Sequence, residues 1–115
     1  MSVERVRRAL TGISGVHVTP YDSIGAIDQA LLGSVVANMA IAGVHNIVAA
    51  GNTGEFFALN SDEVLRVHDT VIAAVAGRAL VTAAVGRSLV EAKATASAAK
   101  RAGADAIMAH HPLDP

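Results

Sequence analysis

The chain has 115 residues, of which 52% are hydrophobic, 3% aromatic and 17% charged, with a formal charge of −1 and no cysteine. That balance excludes a disordered segment, which needs low hydrophobicity and high charge. It also excludes a nucleic-acid partner, which needs a basic footprint and stacking aromatics, and a disulfide scaffold. No uncharged apolar run reaches the roughly 18 residues of a membrane span, so the expectation is a soluble, cytoplasmic protein with no membrane partner. The apolar fraction is nevertheless high for so short a chain, because a small domain has a large surface-to-volume ratio. Either the chain oligomerises or it is part of a larger, more buried fold.

Residues 2–10 read as a short basic helix. Residues 12–18 are a β-branched run that ends at Thr19-Pro20, where proline removes a ladder donor and holds the preceding residue extended. After a turn-rich loop, Asp28 is a candidate N-cap. Ile27, Leu31, Val35 and Met39 recur at helical spacing and predict the buried face of a helix reaching about residue 42. Gly43 stops it. A second short strand over 44–49 leads into a loop over 51–59. Asn60 and Glu63 form a cap pair, and Val64, Val67, Val71 and Val75 line a helix closed by Gly77. A third strand is predicted over 80–85, a helix from Ser88-x-x-Glu91 to Gly103, and a fourth strand over 105–109.

Short apolar strands alternating with amphipathic helices imply a parallel sheet covered by helices. Ala42-Gly43-Val44 before the second strand resembles Ala102-Gly103-Ala104 before the fourth, so the unit repeats. A closed (β/α)8 barrel has eight strands and about 250 residues. Four strands would be half of it, which would account for the apolar excess. An independent, doubly wound small domain is the alternative, but it would leave two parallel edges open.

Ligands of parallel α/β folds meet the loops at the C-terminal ends of the strands. The most informative loop is Gly51-Asn52-Thr53-Gly54-Glu55. The two glycines let backbone approach a ligand, Thr53 offers a hydroxyl and an N–H, and Asn52 adds an amide. Such donors ahead of a helix suit a carboxylate. Glu55 is expected to accept from the loop's own N–H groups. A tight turn with no ligand remains the alternative, since Gly-x-Thr-Gly matches neither the phosphate loop nor the dinucleotide fingerprint. His110 and His111 are adjacent on a strand end and so point to opposite faces; a polar contact from one of them to substrate is expected, and no metal site. Lys93 and Lys100 lie on the third strand-following helix, where a Schiff-base lysine is not expected.

These landmarks, in order, are Gly12 to Val18-Thr19-Pro20, Gly51-Asn-Thr-Gly-Glu55, Leu59-Asn60-x-x-Glu63, Gly77-Arg78 and Ala102-Gly103-Ala104-Asp105. Together they resemble the dihydrodipicolinate synthase / N-acetylneuraminate lyase family over residues 12–112. The resemblance implies a (β/α)8 TIM barrel, of which residues 1–115 are the N-terminal half of one domain. It implies a lyase without a cofactor that acts on pyruvate or a keto-deoxy sugar acid through a Schiff base. It further implies a homo-oligomer, dimer or tetramer. The substrate-binding residues would be Gly51, Asn52, Thr53, Gly54 and His111, with Thr19, Pro20 and Glu55 shaping the loops. Thr53 would bind the 2-oxo acid carboxylate. No catalytic residue falls within the chain, because the Schiff-base lysine and the strand-five tyrosine are expected after Pro115.

Two positions depart from the family pattern. Asn52 stands where a Thr or Ser hydroxyl usually relays a proton. Leu113-Asp114 follow Pro112 where dihydrodipicolinate synthases have a tyrosine pair. With both partners changed, and with the run Gly54-Glu-Phe-Phe-Ala-Leu59, the chain looks more like the 5-dehydro-4-deoxyglucarate dehydratase branch. A non-catalytic 2-oxo acid binder on the same scaffold, or an inactive truncated fragment, is the alternative.

Overall fold

A computed structural model describes residues 2–112. The order is α1 (Val3–Leu10), β1 (Ser14–Val16), α2 (Gln29–Ile41), β2 (Asn46–Ala49), α3 (Ser61–Val75), β3 (Leu80–Val85), α4 (Leu89–Ala102) and β4 (Ala106–Ala109). A 3-10 turn, Phe56–Ala58, lies between β2 and α3. The four strands form one parallel sheet in sequential order, β1-β2-β3-β4. Sequential order with a helix in each crossover is the pattern of a barrel wall. It gives four β/α units of a parallel (β/α)8 barrel.

The register assigns the two faces. Gly15, Ile47 and Val81 are aligned, and Gly15 abuts Met39 of α2, so this row faces the helices. Ile47 and Val81 join Leu32, Val36, Val67 and Val71 in the core. The other row holds Ser14, Asn46, Val48 and Thr82, on the face away from the helices. There the Asn46 amide donates to Ser14 Oγ at 3.1 Å, and the Thr82 hydroxyl donates to Asn46 Oδ1 at 2.8 Å. This polar ladder satisfies an otherwise costly buried amide.

Helix boundaries follow the sequence signals. Asn60 and Glu63 make both bonds of a capping box. Ser88 caps the N–H of Glu91, and that one bond is the half of the expected box that forms. Gly43 and Gly103, with φ of 100° and 111°, end α2 and α4 in the same way. The N–H of Val44 reaches Met39 O and that of Ala104 reaches Ala99 O, as in a Schellman motif. α3 ends differently, on Ala76 in the left-handed region, while Arg78 donates to the carbonyls of Ala74 and Val75.

Two expectations need correcting. The buried row of α2 is Leu32, Val36 and Ala40, and Leu31 is 49% exposed. α2 is apolar almost all round, so spacing alone cannot choose between adjacent rows; packing against α3 does. β1 is only Ser14–Val16, because residues 17–19 leave the ladder to serve the loop after β2.

Candidate functional site

The C-terminal ends of all four strands lie together because the sheet is parallel. The loop after β2 occupies the centre. Ala50 turns the chain into the left-handed region with φ 58°, and Gly51 follows. A Cβ on Gly51 would meet Val16 Cγ1 at 2.9 Å and Val48 Cγ1 at 3.1 Å, so any larger residue there would have to displace these valines. Gly54 is also buried, with the His17 ring and carbonyl against it. Between the two glycines, Asn52 and Thr53 are exposed. Among the described residues, none accepts from their backbone N–H groups. Asn52 O accepts from Glu55 N at 2.9 Å, which closes the turn. The arrangement is a short exposed turn with two free backbone donors and one hydroxyl, groups suited to a carboxylate.

Neighbouring strands hold this loop. The Thr19 hydroxyl donates to Gly54 O at 2.6 Å. His17 is 1% exposed, and its Nε2 accepts from the N–H of Ala50 at 3.0 Å. From the end of β3, Arg87 donates to the carbonyls of Phe56 and Leu59 and lies 4.9 Å over the Phe56 ring. Phe56, 2% exposed, packs edge-on to Phe57 and at 4.4 Å from the His110 ring.

The histidine pair at the end of β4 divides as strand alternation requires. His110 stacks on Phe56 and Phe57, while His111 is exposed, with Nδ1 3.0 Å from Pro112 O. Pro20 accepts from Asp28 N at 2.9 Å and so ties the loop after β1 to the start of α2. The Glu55 carboxylate, expected to accept from the loop's own N–H groups, makes no such bond among the described residues, nor does it cap the following turn. Its backbone is left-handed, φ 66°, and its carboxylate lies by the Tyr21 hydroxyl. Burial, and then this carboxylate, push the Tyr21 phenol up. Lys93 and Lys100 are exposed on α4. Leu113 and Asp114 lie outside the described residues.

Sequence reasoning missed two residues that hold the loop, His17 and Arg87, and one further buried histidine, His68. His17 was a histidine in a strand-like run, Arg87 an ordinary basic residue before a cap, and His68 a helix position. His68 is 1% exposed, and neither ring nitrogen has a partner among the described residues. Burial lowers it to about 4. A polar residue inside an apolar run was the available signal for both histidines.

Residues 9–113 match the Dihydrodipicolinate synthetase family. The 4-hydroxy-tetrahydrodipicolinate synthase of Pseudomonas putida (strain W619) is 42% identical over 92 residues, which cover 79% of this chain and 32% of that protein. The probable 5-dehydro-4-deoxyglucarate dehydratase of Oceanobacillus iheyensis is 30% identical over 102 residues, covering 89% of this chain and 33% of that protein. The crystal structure of dihydrodipicolinate synthase from Bacillus clausii superposes with a TM-score of 0.91 at 40% identity, covering 96% of this chain and 38% of the other. The chain therefore spans about a third of the length of the curated relatives it matches.

Proposed function

The chain belongs to the dihydrodipicolinate synthetase family, and from that premise we propose that the full-length protein is a lyase acting on a 2-oxo acid. The substrate is pyruvate or a keto-deoxy sugar acid, held as a Schiff base on a lysine beyond residue 115. In this reading residues 1–115 are the N-terminal half of one barrel and supply the carboxylate seat. The observation that carries it is the exposed Asn52-Thr53 turn, whose N–H groups have no acceptor among the described residues. Thr53 adds its hydroxyl to the same seat. His111, exposed at the end of β4, supplies a polar contact. The reading includes no cofactor, a cytoplasmic location and a homo-oligomer; Leu89 and Val90 on α4, 73% and 78% exposed, are apolar surface that assembly would cover.

The relatives' names include a synthase and a dehydratase, and Asn52 favours a second reading. An amide cannot take and return a proton as a hydroxyl does. A protein that binds a 2-oxo acid and does not turn it over fits that exchange.

The test is reductive trapping. Incubating the full-length protein with pyruvate and borohydride should fix a covalent lysine adduct, read by mass spectrometry. Thr53→Ala should weaken pyruvate binding in calorimetry. Saturable binding without adduct or turnover would select the second reading. Absence of both binding and adduct with every 2-oxo acid tried would remove the two together.

A further inference from the structure

We infer that His17 is a positioning residue for the 2-oxo acid seat, and that the seat keeps its shape only while this imidazole is neutral. The inference rests on the reading of residues 51–54 as a carboxylate seat.

Two side chains from the end of β1 hold the two ends of the loop. Thr19 fixes the exit by donating to Gly54 O at 2.6 Å. His17 fixes the entrance by accepting from Ala50 N at 3.0 Å. Ala50 is where the chain leaves β2 in a left-handed turn, φ 58°. The ladder between β1 and β2 stops at Val16 and Val48, so the N–H of Ala50 has lost its strand partner. The buried imidazole replaces that partner. The same ring stands against Gly54, where an added Cβ would come within 3.0 Å of its Cε1. One side chain thus touches both ends of the seat.

The bonding determines the tautomer. Nε2 accepts from Ala50, so Nδ1 carries the proton, 2.9 Å from Val18 O. A second proton would have to go on Nε2, opposite an N–H donor. His68, the titratable group facing it from α3, would add repulsion when charged, with Asp69 beside His68 as the local counter-charge. From β2 and its loop the ring meets the Ala50 N–H and the uncharged Gly54 backbone, with no titratable group among them. Burial holds His17 below the usual imidazole range, and the Val18 carbonyl opposes this more weakly. As pH falls through that lowered range, the Ala50 bond is lost and the seat loosens.

The experiment measures pyruvate affinity of the full-length protein between neutral and acidic pH for wild type, His17→Leu, His17→Gln and Thr53→Ala. His17→Leu should bind about tenfold more weakly at neutral pH, the size of one lost hydrogen bond. His17→Gln, whose amide oxygen can accept from Ala50, should recover most of that affinity and should not weaken as wild type does on acidification. Wild-type affinity for His17→Leu, or an unchanged acid limb in His17→Gln, would overturn the inference. Should His17→Leu fail to fold, the acid limb of His17→Gln decides alone. A Thr53→Ala variant that binds as wild type would instead remove the seat reading, which separates the two failures.

Discussion

The segments that follow β2 and β4 leave the same end of the same sheet, yet they are built differently. After β2, Gly51 and Gly54 are buried, and the loop receives bonds from both neighbours: His17 and Thr19 beyond β1, and Arg87 beyond β3. After β4, His110 leans on Phe56 and His111 is exposed. β2 is a central strand, whereas β4 has a sheet neighbour on one side only among the described residues. A loop on an inner strand can be held from two sides, and its donors are then fixed before any ligand arrives. Preorganisation of that kind makes hydrogen bonds to a carboxylate worth more, because little ordering remains to be done on binding.

The difference can be broken most severely at the residue the two segments share. Phe56 is 2% exposed and touches Phe57, His110 and Arg87. Phe56→Ala in the full-length protein should lose about 3–5 kcal/mol of unfolding free energy in a urea titration. It should also free both His110 and the loop after β2. A loss below about 1 kcal/mol would show that the ring is not the common support.

Acid comes next. His68 is lowered to about 4, so the unfolded chain, with an ordinary imidazole near 6.5, takes up its proton first. Stability therefore falls as pH drops from about 6.5 toward 4 and levels off below that, a loss on the order of 3 kcal/mol. His68→Leu should flatten that slope in unfolding titrations across the window. A slope that persists unchanged would place its origin elsewhere.

A smaller effect sharpens the contrast directly. Thr19→Val removes a buried hydroxyl and leaves Gly54 O without its donor. It should cost about 1–3 kcal/mol in stability. His111→Ala, at the exposed end of β4, should stay within about 0.5 kcal/mol of wild type in the same measurement. Equal costs at the two positions would contradict the contrast between a loop held from both sides and the exposed His111.

Much of the architecture was legible in the sequence because its signals are local. Asn60 with Glu63, Gly43 and Gly103 mark helix ends by satisfying backbone groups within a few residues, and they do so in the structure. The alternation of short apolar strands with helices already implied a parallel sheet, and the ordered glycine landmarks pointed to the family. The loop Gly51 to Gly54 could be picked out because two glycines around two polar residues announce close backbone approach. What stayed hidden was who holds that loop. His17 lies 33 positions before Ala50, and Arg87 lies 31 after Phe56. No periodicity encodes such pairs. The same holds for α2, where adjacent apolar rows were equivalent until α3 packed on one of them.

By itself, then, the sequence determined the element order, the helix ends, the glycine positions and the family, since each depends on groups close in the chain or on an ordered set of residue types. Only the tertiary structure decided which histidine is buried under the loop, which one faces out and which side of α2 is inside. Those outcomes depend on where a parallel sheet ends its ladder and on which neighbours then stand close enough to satisfy the freed backbone groups.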